Sequence, residues 1–383
     1  MWKHIAANAL TVLIVGLVLL AGLVAMTQRA FVTAGPLEQA ICLRVEQGAT
    51  LRAVTRSLES QGAISNGMIF RVGAQYDGRD SQLRFGSYLV PVAASMTDIL
   101  DIVTRGGAST CGTEVVLRVG VTRAEYLVRE LDPASNRFVQ VLELPLSEET
   151  LPVEYTQVAQ RPDTRFRIAI AEGATSWQIW NAVSNAEFLA GNVEEIPAEG
   201  TLAPESYELR RGDDRGDLLS EMQARQVATL SAAWASRVDG LPFDTPEEAL
   251  ILASIVEKET GIAEERRIVA SVFINRLNAP MRLQTDPTVI YGITLGQRIL
   301  GRGLRRSELD ATTPYNTYRI DGLPPTPIAN PGRASIEAVL NPDDSDYIFF
   351  VADGSGGHAF AETLSEHNAN VARWRQIEAE RNQ

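Results

Sequence analysis

The sequence is poor in the side chains that bind metal ions and nucleic acids. Its 383 residues include three histidines and two cysteines, and their positions lack the short spacings of metal-binding motifs. Acidic residues outnumber basic ones, 48 to 35, which gives a net charge of −13. A nucleic-acid backbone requires a basic protein face. We therefore predict no metal, no cofactor and no nucleic-acid partner.

Charged residues are also missing from a long N-terminal segment. Residues 5–28 carry no charge and consist mainly of Ala, Val, Leu, Ile and Gly. A helix of this length spans about 36 Å at 1.5 Å per residue, and the hydrocarbon core of a bilayer is about 30 Å thick. We predict a transmembrane helix over 5–28, with residues 1–4 in the cytoplasm.

The alternative for this segment is a cleaved signal peptide. Its apolar core is usually shorter, about 7–15 residues, and a small-residue cleavage site follows it. No such site follows residue 28 here. Lys3 before the segment and Arg29 after it favour a cytoplasmic N-terminus only weakly, but both alternatives place the bulk of the chain outside the cytoplasm.

The two cysteines, Cys42 and Cys111, are candidates for a disulfide in an oxidising compartment. Two buried free thiols are the alternative. The sequence leaves this open, because a disulfide requires the two Cα atoms to lie within bonding range.

The segment after the apolar helix predicts a polar stalk at 29–40 and a small subdomain at 41–107. A strand, two helices and a second strand follow one another in this subdomain, as in the carbohydrate-binding LysM module. Residues 108–241 predict a connecting strand–helix region. The predicted elements of the subdomain are a strand at Ile41–Val45, a helix from Leu51, a helix near Met68–Ala74, a strand at Phe85–Val90 and a further helix at Met96–Thr104.

The segment Thr245–Gly261 predicts a helix with well-marked ends. Thr245 and Glu248 have the spacing of a capping box, Pro246 occupies the first helical position, and Gly261 is a typical stop. At about 100° per residue, one side of this helix is apolar, and Glu259 falls in the middle of that side. Glu257 falls on the opposite face.

A glutamate on an apolar face is desolvated, which raises the pKa of its carboxyl. A raised pKa suits a general acid near neutral pH. The alternative is a solvated Glu259, or one paired with Arg266 or Arg267, since most glutamates are exposed.

The sequence around this helix resembles that of the endolytic murein transglycosylase family, also called the YceG-like family. The resemblance covers about 110 residues of the C-terminal region, and "APESY" upstream is similar to a family turn with Ser206 in place of the usual Thr. The matching segments are "ALILASIVEKETGIAEERRIVASVFINRL" (Ala249–Leu277), "MRLQTDPTVIYG" (Met281–Gly292), "TPYNTYRIDGLPP" (Thr313–Pro325), "IANPG" (Ile328–Gly332) and "YIFFVADGSGGHAF" (Tyr347–Phe360).

This resemblance implies a lyase that cuts peptidoglycan glycan strands. The family's catalytic glutamate is the second one of its Glu-Lys-Glu-Thr motif, which is Glu259 here, with Glu257 as a minor alternative. The resemblance further implies an inner-membrane protein with its catalytic domain in the periplasm. It also implies association with penicillin-binding proteins of the elongation machinery.

Five further residues are candidates for the sugar-binding cleft, because polar side chains beside aromatic rings suit sugars. Each could instead serve a structural hydrogen bond or turn, and a structural role is also expected for His358. Asp286 could additionally stabilise developing positive charge. The candidates are Gln284, Asp286, Tyr291, Asn316 and Tyr318.

The predicted fold class is α+β. It combines the N-terminal transmembrane helix, the small LysM-like βααβ subdomain and a C-terminal mixed α/β catalytic domain at 242–383. Residues 114–164 depart from the family layout and predict extra material. Two other functions remain open: a muramidase-type hydrolase that uses Asp286 to position water, and an anchored, non-catalytic peptidoglycan-binding module.

Overall fold

The computed structural model describes residues 2–105, 110–148 and 150–381, with side chains from residue 11 onward. The predicted end of the subdomain at 107, and residues 1 and 383 of the predicted first and last domains, lie outside the described residues.

Helix α1 spans Trp2–Val32 and includes the apolar segment. Its part Thr11–Val32 has a mean hydropathy of 2.2 and is long and apolar enough to cross a membrane. The helix continues past the predicted end at residue 28, because residues 29–34 contain neither glycine nor proline; Gly35 and Pro36 come next.

The predicted stalk at 29–40 is not a free linker in the structure. The ring of Phe31 lies against Gly73, and Leu37 is buried in the core of the subdomain. The Gly35 amide donates a hydrogen bond to the Ala93 carbonyl at 3.1 Å. The apolar side chains of Phe31 and Leu37 explain this packing.

The subdomain has the predicted order of strand, helix, helix and strand. Its two strands pair antiparallel, with Ile41 opposite Val90. The likeness to LysM stays a prediction from sequence. The elements are β1 Ile41–Val45, α2 Leu51–Ser60, α3 Gly67–Tyr76, β2 Gly86–Val90 and the additional helix α4 Met96–Arg105.

A disulfide joins Cys42 on β1 to Cys111, which follows α4. The two Cα atoms lie 5.6 Å apart, and the Cys111 amide donates to the Ser87 carbonyl on β2 at 3.0 Å. Of the two alternatives, the structure therefore contains the bridge.

The segment predicted as extra material supplies three strands of a five-stranded sheet. The strand order is β5-β4-β3-β6-β7, and β6 pairs antiparallel with β7, with Phe166 opposite Leu209. The strands are β3 Thr113–Val119, β4 Ala124–Asp132, β5 Arg137–Pro145, β6 Arg165–Ile170 and β7 Ser206–Leu209, and the short helix α5 Val153–Ala159 precedes β6.

The chain divides into two compact units. The N-terminal unit consists of Met1–Val115, Leu127–Glu143 and Thr150–Arg165, and the C-terminal unit of Val116–Tyr126, Leu144–Glu149 and Phe166–Gln383. The predicted domain boundary between 241 and 242 is not a boundary between these units.

Residues on both sides of position 242 contribute to one hydrophobic core. Leu230 and Ala233, before that position, pack in one hydrophobic cluster with Leu252 and Phe273 beyond it. The remaining elements are α6 Ser176–Asn185, α7 Arg215–Ala235, α8 Pro246–Glu259, α9 Arg266–Asn278, α10 Asp286–Thr294, α11 Arg306–Asp310, α12 Arg333–Leu340, β8 Phe349–Ala352, β9 His358–Ala361 and α13 Leu364–Arg381.

Candidate active site

Helix α8 begins as its sequence predicts. The Thr245 hydroxyl accepts a hydrogen bond from the Glu248 amide, the Glu248 carboxylate accepts from the Thr245 amide, and Pro246 is the first helical residue. The helix ends at Glu259, with Thr260 in extended conformation. Glu259 is thus fixed at the carboxyl end of a helix of defined length.

Helix α8 packs against the protein on both of the faces that carry its glutamates. Leu250 and Ala253, on the face of Glu257, are buried like Leu252 on the face of Glu259, because α7, α9, α10 and α12 all pack on α8. The side chain of Glu257 is only 5% exposed. Both glutamates are therefore only partly exposed, and burial alone does not separate them.

Their hydrogen-bond partners do separate them. Glu257 Oε2 accepts from the Gly332 amide at 3.0 Å, and the Arg266 guanidinium lies 4.0 Å from its other oxygen. Arg267 pairs with Asp343 at 2.9 Å. The arginines considered as partners of Glu259 are therefore engaged with other carboxylates, and Glu257 has the contacts of a structural residue.

Glu259 has a different environment. The Thr285 hydroxyl donates a hydrogen bond to its Oε1. Burial raises the pKa of Glu259, and the negative charge of Asp286 raises it further, whereas the Thr285 hydrogen bond and the charges of His358 and Arg276 oppose this shift. The partial negative charge at a helix carboxyl end also disfavours a carboxylate. The result is a carboxyl that retains its proton above the usual pH range.

A cluster of buried threonines holds Thr285 in place. The Thr285 amide donates to Thr317 Oγ1 at 3.0 Å, and the hydroxyls of Thr288 and Thr317 lie 2.8 Å apart. All three side chains are buried. The preceding residue, Gln284, has φ +50°, a strained conformation for a residue with a side chain.

Asp286 and Tyr318 form the exposed edge of this site. The Tyr318 hydroxyl donates to Asp286 Oδ1 at 2.7 Å. Burial, the hydrogen bond to Asp286 and the nearby Glu259 carboxyl all raise the pKa of Tyr318. Asp286 and Tyr318, two of the predicted cleft residues, therefore lie near Glu259, and a third, Gln284, directly precedes Thr285 in the chain.

The other two predicted cleft residues are engaged elsewhere. The Tyr291 hydroxyl donates to Glu199 Oε2 at 3.1 Å, and its ring lies against Tyr315 at 5.1 Å between centroids. Asn316 is fully buried, and its amide nitrogen donates to the carbonyls of Glu308, Leu309 and Ala311. Both side chains have the contacts of structural residues.

Arg276 and His358 lie beside Glu259, although the sequence indicates neither as catalytic. Arg276 is 7% exposed and donates to the carbonyls of Ile348 and Leu283 at 2.7 and 2.6 Å. His358 Nδ1 lies 2.7 Å from a carboxylate oxygen of Glu265. Their positions depend on partners distant in sequence, so no local pattern could have identified them.

A second buried carboxyl, Glu199, also escaped the sequence reasoning. It accepts hydrogen bonds from the Ser176 amide at 2.8 Å and from the Asn330 side chain at 3.3 Å. Burial raises the pKa of Glu199. Asn330, part of the "IANPG" segment, also accepts from the Leu202 amide at 2.9 Å. In the sequence, only the "IANPG" segment pointed to this group of contacts around Glu199.

Comparison with known proteins defines the class of this chain. A model of the YceG-like family matches residues 146–373. Because this match covers more than half of the chain, the protein belongs to the YceG-like family. The match begins about a hundred residues before the predicted catalytic boundary at 242, and it includes the end of the segment 114–164.

Two relatives carry the name endolytic murein transglycosylase. The protein from Bacillus subtilis strain 168 is 28% identical over 327 residues, which is 85% of this chain and 82% of that relative. The protein from Streptococcus pneumoniae serotype 2 strain D39 is 26% identical over 87% of this chain. The match spans only 58% of the length of the pneumococcal relative.

A solved structure of a YceG-like protein from Listeria monocytogenes also matches. It is 24% identical, with a TM-score of 0.44, and the match covers 86% of this chain and 99% of that one.

Proposed function

We propose that this protein is an endolytic peptidoglycan lytic transglycosylase, with Glu259 as its single catalytic acid and base. The observation that carries the proposal is the environment of Glu259: it is half-buried, burial raises its pKa, and a neutral hydroxyl is its hydrogen-bond donor. The names of the two relatives support the reaction class.

The proposed reaction cleaves the β-1,4 bond between N-acetylmuramic acid and N-acetylglucosamine. Thr285 binds Oε1 of Glu259, which leaves Oε2 to carry the proton. Glu259 donates this proton to the bridging oxygen as the glycosidic bond breaks. The resulting carboxylate then takes the proton of the muramyl C6 hydroxyl, which attacks C1 and closes a 1,6-anhydro ring.

This reaction requires one carboxyl, because the nucleophile belongs to the substrate and no water is consumed. Most glycosidases instead use a pair of carboxyls. The exposed Asp286, fixed by the Tyr318 hydroxyl, is suited to stabilise the positive charge that develops at C1. Gln284 and Tyr318 are the other proposed sugar contacts, since Tyr291 and Asn316 have partners inside the protein.

We further propose that α1 is a single-pass anchor in the inner membrane and that the rest of the chain lies in the periplasm. The apolar length of α1 supports the anchor. The Cys42–Cys111 disulfide supports a periplasmic location of the rest of the chain. An anchored enzyme would cut nascent strands close to the membrane. A role for the LysM-like subdomain in glycan binding, and association with penicillin-binding proteins, are proposed on the family resemblance alone.

The decisive experiment compares the full-length protein in detergent with its Glu259→Gln variant on purified, un-crosslinked glycan strands. Mass spectrometry identifies the new strand ends. We expect internal fragments ending in 1,6-anhydro-muramic acid from the wild type and none from the variant. Glu257→Gln is the matched control, because it makes the same chemical change two residues away and should retain cleavage.

The same products test the alternatives. Reducing ends in place of anhydro ends would identify a hydrolase in which Asp286 positions water. Equal cleavage by the wild type and Glu259→Gln would exclude Glu259 as the acid. An absence of cleavage by the folded wild type would favour a binding module.

A further inference from the structure

Helix α3 carries exposed apolar side chains that neither the fold nor the proposed reaction uses. Met68, Val72 and Tyr76 are 67%, 58% and 85% exposed. They are spaced four residues apart, so that they form one stripe along the helix. Isolated exposed apolar residues are ordinary, but a continuous stripe indicates a contact surface.

This stripe adjoins the surface where α3 meets the anchor helix. A side chain at Gly73 would collide with the ring of Phe31 on α1, 2.3 Å away, and the Thr97 hydroxyl on α4 donates to the Phe31 carbonyl at 3.2 Å. At about 100° per residue, Val72 follows directly around α3 from Gly73. The exposed stripe therefore continues the face of α3 that contacts α1.

The position of Phe31 along α1 sets the level of α3 relative to a bilayer. The uncharged run 5–28 spans about 36 Å at 1.5 Å per residue, which is enough to cross a hydrocarbon core about 30 Å thick. Phe31 follows Arg29, the first charged residue after this run, and therefore lies at the level of the headgroups. Because α3 packs on Phe31, it lies at the same level.

We propose that the Met68–Val72–Tyr76 stripe lies on the outer surface of the bilayer that holds α1. The occupant of this surface is lipid, because the stripe adjoins the membrane helix at its point of exit. Interfacial helices bury an apolar face about 5–10 Å deep, and tyrosine is enriched at the level of the headgroups. Arg71 and Asp77, the charged residues beside the stripe, then lie among the headgroups.

A second segment near the exit of α1 is consistent with this arrangement. Val92 is 55% exposed, and the adjacent Ala93 exchanges backbone hydrogen bonds with the segment after α1, through Gly35 and Leu37. With α3 on the lipid surface, α1 and the subdomain would form one rigid body at the membrane, so the subdomain would not rotate freely about the anchor. The inference rests on the proposed anchor.

The test places one fluorescent probe at a time on the full-length protein in phosphatidylcholine nanodiscs. Both native cysteines are in the disulfide, so an introduced cysteine is the only free thiol. An environment-sensitive nitrobenzoxadiazole probe is attached to Val72→Cys, to Arg56→Cys on the exposed side of α2 as the control, and to Leu20→Cys within the span. Doxyl-labelled phosphatidylcholine then serves as the quencher.

We expect a blue-shifted emission at position 72 that is lost on adding the quenching lipid, as at position 20, and no such loss at position 56. Quenching at position 20 without quenching at position 72 would overturn the proposal while leaving the anchor intact. Equal quenching at positions 72 and 56 would also overturn it. An absence of quenching at position 20 would remove the anchor, and the proposal with it. None of these outcomes depends on cleavage activity.

Discussion

Replacing Thr285 with valine would remove the one hydrogen bond that a described side chain donates to Glu259, with little change of shape. The Thr285 side chain is buried, and its backbone amide keeps its bond to Thr317. A hydrogen bond to a charged group contributes about 1.5–3 kcal/mol, and one unit of pKa corresponds to about 1.36 kcal/mol. The substitution therefore has a calculable effect on the pH dependence of catalysis.

The sign follows from the form that the bond favours. The Thr285 hydroxyl stabilises the ionised Glu259 and lowers its pKa, so its removal raises that pKa. Because the proposed reaction needs the protonated form of Glu259, we expect the alkaline limb of the kcat profile to move up by about one to two pH units. The maximal rate falls by about 10- to 100-fold, since the carboxyl is less well oriented.

The assay measures the rate of anhydro-end formation across pH for the wild type, Thr285→Val and Thr294→Val. Thr294 is the matched control: it is buried at the other end of α10, and its hydroxyl donates to the Ile290 carbonyl at 2.9 Å. The control should lose stability without moving the alkaline limb. An unmoved limb in Thr285→Val, or an equal movement in both variants, would refute this account of Glu259.

Three further outcomes follow from the same contacts. Because burial raises the pKa of Glu259, the contribution of this residue to stability is present below its unfolded pKa and is lost as pH rises through its folded pKa. Glu259→Gln should therefore unfold at a higher temperature than the wild type at about pH 8, with no difference at about pH 4. A lower unfolding temperature of the variant at pH 8 would contradict this. Asn330→Ala leaves the Leu202 amide without its partner and removes one of the three donors to Glu199, and it should cost about 2–4 kcal/mol in urea unfolding; a loss below about 1 kcal/mol would show that water replaces the amide. Tyr318→Phe releases Asp286 and should lower kcat/KM about tenfold with unchanged unfolding temperature, whereas an unchanged kcat/KM would remove Tyr318 from the site.

Local signals in the sequence predicted the elements whose ends depend on neighbouring residues. The capping box of α8 and the strand–helix–helix–strand order of the subdomain are examples. Capping and hydrophobic periodicity act over a few residues, so a single sequence contains them.

The sheet could not be predicted in the same way. Strands β3, β4 and β5 fill much of the segment regarded as extra material, and β3 is next to β6 in the sheet order. Pairing between strands distant in sequence depends on long-range packing that no local pattern encodes. The shared core of α7 and α8, which lie on either side of the predicted boundary at 242, has the same origin.

Glu259 shows how a sequence argument can select a residue for an incomplete reason. Helical periodicity separated Glu259 from Glu257 by placing them on opposite faces of α8, yet the structure leaves both residues only partly exposed. Their partners come from distant segments: Gly332 and Arg266 for Glu257, and Thr285 for Glu259. Burial with one hydroxyl donor favours a carboxyl that exchanges its proton at Glu259. The proposed acid and base is therefore defined by what the fold places beside it, and Thr285→Val tests that placement directly.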